Sequence, residues 1–143
     1  MLWDELIDWK GHEAWVPSTY VELHGDGDPA APGAEFTAWT GPIPTSGIGR
    51  KLSLQDRMRV AEIDFDPVSG RGACAVHKIG PVLEGTASFS VTPTGGGTRM
   101  HWKEDVEVRF LPSFAAPVAA KIGELGFRYS MRRLDKQLVA AGY

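Results

Sequence analysis

The chain has 143 residues, 43% of them hydrophobic and 23% charged, with a formal net charge of −3. That length and composition fit a single globular domain over residues 1–143, and the mildly acidic balance excludes an electrostatic grip on nucleic acid or an anionic membrane. No apolar run approaches the ~18 residues of a membrane span, so stable membrane insertion is not expected, and the lone Cys74 excludes an internal disulfide and points to a reducing cytoplasm.

Leu2 to Ile7 is amphipathic, with Leu2, Leu6 and Trp9 near one face, and Gly11 ends the segment. His12 to Trp15 makes another turn, which Pro17 stops. Trp3, Trp9 and Trp15 carry too much rigid aromatic area to stay in water, and the long C-terminal element is their expected cover. Thr19 to His24 alternates as a strand, Gly25 to Pro29 is turn chemistry, and Ala34 to Thr40 is a second strand. Gly41 to Gly49, with Pro42 and Pro44, reads as a loop. In the strand from Gln55 to Phe65, strict alternation puts Met58, Val60 and Glu62 on one face and Arg57 and Arg59 on the other. Ala73 to Ile79, Leu83 to Thr92 and Thr98 to Val108 follow with short connections. An antiparallel meander from Thr19 to Val108 is the expected result.

The C-terminal segment predicts one long helix from Pro117 to Ala140, preceded by an irregular turn, because proline lacks the N–H that a helix interior needs. Phe114, Val118, Ile122, Leu125 and Tyr129 form an apolar stripe. Phe127, Met131, Leu134 and Leu138 fall on nearly the opposite side. A bend at Gly123 and Gly126 is expected to let the two halves pack on different surfaces. Arg128, Arg132, Arg133 and Lys136 are placed toward the negative helix end.

Several short pieces, in order, carry a resemblance. They are Asp8-Trp9, His12 and Trp15-Val16-Pro17; then Met58-Arg59-Val60; then Gly80, Gly85, Phe89 and Pro93. Gly97-Thr98-Arg99-Met100, Trp102-Lys103-Glu104 and Met131-Arg132-Arg133-Leu134 complete the set. Over nearly its whole length the chain resembles the SRPBCC (START-like, polyketide cyclase/dehydrase and lipid transport) superfamily. The resemblance implies an α+β helix-grip (birch-pollen-allergen-like) fold, a curled antiparallel sheet around the C-terminal helix with an apolar ligand cavity between them. It does not imply one activity, since the family spans carriers, sensors, cyclases and aromatases. The family fold begins with a strand before the first helix, whereas Leu2-Trp3 already reads as that helix. The first strand is therefore expected to be missing, leaving an open sheet edge that invites self-association.

With that fold in view, the expected cavity wall takes Trp15 from the N-terminal segment and Phe36, Met58, Val60, Val76 and Phe89 from the strands. Met100 and Trp102 join it from the last strand, and Phe114, Val118 and Ile122 from the helix. In an ordinary fold Phe36, Phe89, Trp102 and Phe114 would more readily be core; the helix-grip resemblance, whose sheet and helix do not meet along their full length, puts a pocket role on an equal footing. Glu104 shares the face of Met100 and Trp102, so its carboxylate is a candidate acid or base beside an apolar wall, with a solvated or arginine-paired role as the alternative. Glu62 is a weaker candidate of the same kind. His101, on the opposite face, is the other weak catalytic candidate. His12, His24, His77 and His101 are not at metal-ligand spacing and no CxxC or HExxH occurs, so neither metal nor cofactor is expected. Three functions remain open: binding of a lipid-like or polycyclic small molecule, a cyclase/aromatase/dehydratase-type enzyme, and an interaction protein using the open edge.

Overall fold

The computed structural model describes residues 1–143. Two short helices, α1 (Leu2–Ile7) and α2 (His12–Trp15), precede the strands β1 (Thr19–His24) and β2 (Glu35–Thr40). A further short helix, α3 (Gly47–Lys51), leads into β3 (Leu54–Asp66), β4 (Arg71–Ile79), β5 (Leu83–Thr94) and β6 (Gly97–Val108). A 3-10 turn over Ser113–Ala115 then opens into α4 (Ala116–Ala140), with Pro117 in its first turn, where a missing N–H costs nothing. The helix α3 begins inside the stretch that composition marks as a loop and runs two residues past it. The Ser46 hydroxyl caps it by accepting a 2.9 Å hydrogen bond from the Gly49 N–H, which is enough to close one turn.

All neighbouring strands pair antiparallel in the order β1-β2-β3-β4-β5-β6, so the meander expected from the turn chemistry is present. The sheet is unclosed, because β1 and β6 do not pair with each other. Close pairing of β5 with β6 depends on Gly85, where φ is +139° and a Cβ would stand 2.1 Å from the Asp105 carbonyl oxygen. The outer edge of β1 is partly blunted. At Val21 the N–H donates to Glu13 Oε1 at 2.6 Å and the carbonyl accepts from Lys10 Nζ at 2.7 Å. Side chains beside α2 thus supply the partners a strand would.

The core lies between the concave sheet face and the helices. Trp3 stacks on Phe65 with centroids 5.0 Å apart, and Trp9 stacks on Phe36 at 4.6 Å. Trp3 and Trp9 therefore stack on aromatic residues of the sheet, rather than on the C-terminal helix as their area alone led one to expect.

The strand β3 breaks the simple alternation. A β-bulge between Val60 and Glu62 leaves Val60 opposite Val76 and Glu62 opposite Ala75. One extra residue reverses the facing of everything after it. Glu62 therefore turns to solvent, while Ile63 and Phe65 pack against the core. This removes Glu62 from the face of Met58 and Val60, where strict alternation places it.

Helix α4 is one continuous helix from Ala116 to Ala140, and its two apolar halves do not each find a surface to pack on. Its inward face carries Gly123, Gly126, Phe127, Ser130 and Leu134. Since 3.6 residues make a turn, Val118, Ile122, Leu125 and Tyr129 fall on the far side. They are exposed, as is Phe114 at 84%, and Ile122 is 66% accessible. The basic residues lie short of the helix end. Arg133 instead docks the helix, donating to the Ala14 carbonyl at 2.8 Å.

Candidate functional site

Every strand of the sheet contributes to one cavity of about 290 Å³ beneath α4, near the lower bound of the ~300–1,000 Å³ usual for small-molecule sites. Its apolar wall includes Trp15, Phe36, Met58, Val76, Phe89 and Trp102, all expected from the sequence. Phe89 and Trp102 stack at 5.6 Å, and Trp102 leans on Phe127 of α4 at 5.1 Å. Cys74 is a small buried wall residue whose thiol burial pushes up to about 12, so it is held protonated.

Five of the expected wall residues lie elsewhere. Val60 is fully buried in the core beside the cavity. Met100 packs with Met131, Leu134 and Leu138 in a separate groove toward the β5–β6 turn. Phe114, Val118 and Ile122 face solvent, because the helix turns its glycines inward. A Cβ built on Gly123 or Gly126 meets nothing within 4 Å. The two glycines leave the helix side of the cavity hollow.

The wall also has a charged end. Lys78 is buried and donates to Asp56 Oδ2, with Met58 Sδ at 3.8 Å and Glu104 Oε1 at 3.9 Å. Glu104 does line the cavity, with its side chain 47% exposed. His101 does not, since it sits exposed on the outer sheet face opposite Ser90. The Oδ1 atom of Asp56 and the indole N–H groups of Trp15 and Trp102 are buried without a protein partner. Sequence reasoning missed Asp56 and Lys78. The signal was present: Asp56 keeps the parity of Met58 on β3, and Lys78 that of Cys74 and Val76 on β4. A buried ion pair in such a place contributes little net stability, because desolvation offsets the attraction. What it supplies is a polar terminus to an otherwise apolar hole.

His12 closes the end near α2. Its ring lies 4.4 Å from that of Trp15 and 5.5 Å from that of Trp9, and Nε2 donates to the Leu6 carbonyl at 3.0 Å. Burial pulls it from 6.5 down to about 4, against the opposing pull of the Leu6 carbonyl and of Asp8, so it is neutral at pH 7. Thr19 and Thr40 add a hydroxyl pair, 2.9 Å apart, to the same wall.

A family model described as polyketide cyclase/dehydrase and lipid transport matches residues 2–139. The chain belongs to that family. Its six-stranded, unclosed antiparallel sheet and long C-terminal helix are the helix-grip α+β architecture of SRPBCC proteins. A search of curated proteins finds no match to the chain. No helix is long and apolar enough to cross a membrane.

Proposed function

We propose that the chain, acting as one ligand-binding domain over residues 1–143, takes a hydrophobic small molecule, lipid-like or polycyclic, into the cavity under α4. The observation that carries this is the hollow itself. Aromatic and aliphatic side chains surround a space that the inward glycines of α4 decline to fill. Burying an apolar ligand there contributes roughly 25 cal/mol per Å² of covered surface before ordering costs. Native mass spectrometry of the purified protein, read for a co-purified small molecule, is the direct test.

A variant sharpens that test. Leucine at Gly126 fills the cavity from an open position and replaces a poor helix former with a good one, a gain of up to about 1 kcal/mol. Gly126→Leu is expected to melt no lower than wild type and to lose binding of Nile red, a neutral apolar dye. Undiminished dye binding by a well-folded variant would remove the cavity as the site.

A second reading, an enzyme of cyclase or dehydratase type, is favoured by one arrangement: the Glu104 carboxylate at 3.9 Å from Lys78 on the cavity wall. There a carboxylate stands on the cavity wall beside an ammonium, placed to exchange a proton with a molecule in the cavity. Glu104→Gln would then retain ligand and lose turnover.

Self-association is proposed through β6 rather than β1, whose edge Lys10 and Glu13 already occupy at Val21. The outward row of β6 runs from Arg99, His101 and Lys103 to Asp105 and Glu107. Antiparallel pairing with a second copy sets its basic half against the partner's acidic half. Light scattering is expected to show dimers that weaken with salt. A monomer at all concentrations would refute it.

A further inference from the structure

The charged end of the cavity holds one cation and two carboxylates. Lys78 carries +1, Asp56 and Glu104 each carry −1, and His12 is neutral. The surplus is one negative charge, carried by the half-exposed Glu104 at the rim of a largely apolar space. The ammonium of Lys78 is already committed, since Asp56 accepts from it and Glu104 stands 3.9 Å away. An incoming carboxylate or phosphate would therefore meet a cation neutralised by Asp56 and a second, unneutralised carboxylate. The acceptors are less occupied: Asp56 Oδ1 is buried without a partner, and Glu104 has its 3.9 Å neighbour Lys78 and no hydrogen bond. A ligand O–H or N–H would supply what the buried Asp56 Oδ1 lacks, and would take the place of water at the half-exposed Glu104 carboxylate.

We propose that this end selects ligands by charge, accepting neutral or cationic molecules that present a hydrogen-bond donor and rejecting anions. The inference rests on the cavity being a ligand site, and it narrows the ligand class. An apolar molecule ending in a hydroxyl fits, with its body against Phe89, Trp102 and Met58. A fatty acid, whose shape and apolar surface suit the same walls, does not.

Three naphthalenes of nearly one shape separate charge from apolar fit: 2-naphthylmethanol, 2-methylnaphthalene and 2-naphthoate. Their affinities are read by displacement of Nile red at neutral pH. In the wild type the alcohol should bind tightest and the carboxylate weakest, with about ten-fold or more between them. Glu104→Gln, at a half-exposed position that tolerates the change, should close much of that gap by removing the surplus charge. Asp56→Asn combined with Glu104→Gln leaves Lys78 alone, and 2-naphthoate should then become the tightest of the three. Equal affinities in the wild type, or 2-naphthoate binding best there, would overturn charge selection and leave the cavity as a binding site. A gap between alcohol and carboxylate that the Glu104→Gln variant leaves unchanged would overturn it as well. If neither Nile red nor any naphthalene binds the wild type, the binding reading itself falls and takes this inference with it.

Discussion

Trp9→Ala should lower the stability by about 3–5 kcal/mol, the cost of removing a buried tryptophan from a packed core. Trp9 is 3% exposed, its ring stacks on Phe36 at 4.6 Å, and its Nε1 donates to the Pro29 carbonyl at 2.8 Å. Two different tasks thus fall on one side chain. The ring joins the N-terminal helices to β2, and the N–H ties down the connection between β1 and β2. For a chain of this length the loss corresponds to a fall in melting temperature on the order of 10–15 °C. Trp9→Phe separates the tasks: it keeps a stacked ring, gives up the hydrogen bond and part of the area, and should cost about 1–2 kcal/mol. Melting curves of the two variants decide the matter. If Trp9→Ala melts within a few degrees of wild type, the stack is not part of the core.

Acid should weaken the fold through His12. The folded chain holds this ring neutral until the pH falls to about 4, whereas an unfolded histidine takes up a proton near 6.5. Between those values the unfolded state binds more protons, so stability rises with pH across the window and is lost as pH falls through it. The contribution is fully present above the unfolded value and amounts to about 3 kcal/mol when wholly lost. Glu35, Asp66 and Glu124 are also held below their ordinary values, by Arg59 and Arg57, by Ser69, and by Lys121 respectively. They act in the same direction at lower pH. His12→Gln isolates the histidine: the wild type should lose about 2 kcal/mol between about pH 7.5 and about pH 5, and the variant should lose little. Parallel pH profiles for the two proteins would contradict the assignment.

Much of the strand framework was legible because its cause is local. Turn residues such as Asp66-Pro67-Val68-Ser69-Gly70 and the glycines after Pro93 separate segments with period-two patterning, and consecutive strands with short links can only pair antiparallel. Where the pattern misled, a local irregularity intervened. The bulge at Val60 and Glu62 adds one residue to β3 and reverses every facing beyond it, which no count of alternating residues contains. The short helix at Gly47 to Lys51 was hidden for a related reason. Two glycines depress its propensity, while a single side-chain cap at Ser46 closes it.

Helix α4 separates what the amino acids alone determine from what the assembled fold decides. Its existence, its length and the turn before Pro117 follow from propensity and proline chemistry within the segment. Which face turns inward does not. The apolar stripe through Val118, Ile122 and Leu125 has the better claim by hydrophobic periodicity, yet the helix presents Gly123, Gly126, Phe127 and Ser130 to the sheet. A cavity is made by what is absent from a face, and periodicity weighs only what is present. The charged end was beyond reach for a different reason. Asp56 and Lys78 are 22 residues apart on adjacent strands and Glu104 lies on a third. Each alone reads as a surface charge. Only the registers that set Met58 beside Lys78, and Ala87 beside Glu104, bring the three to one wall, because pairing across a sheet is a property of the assembled strands.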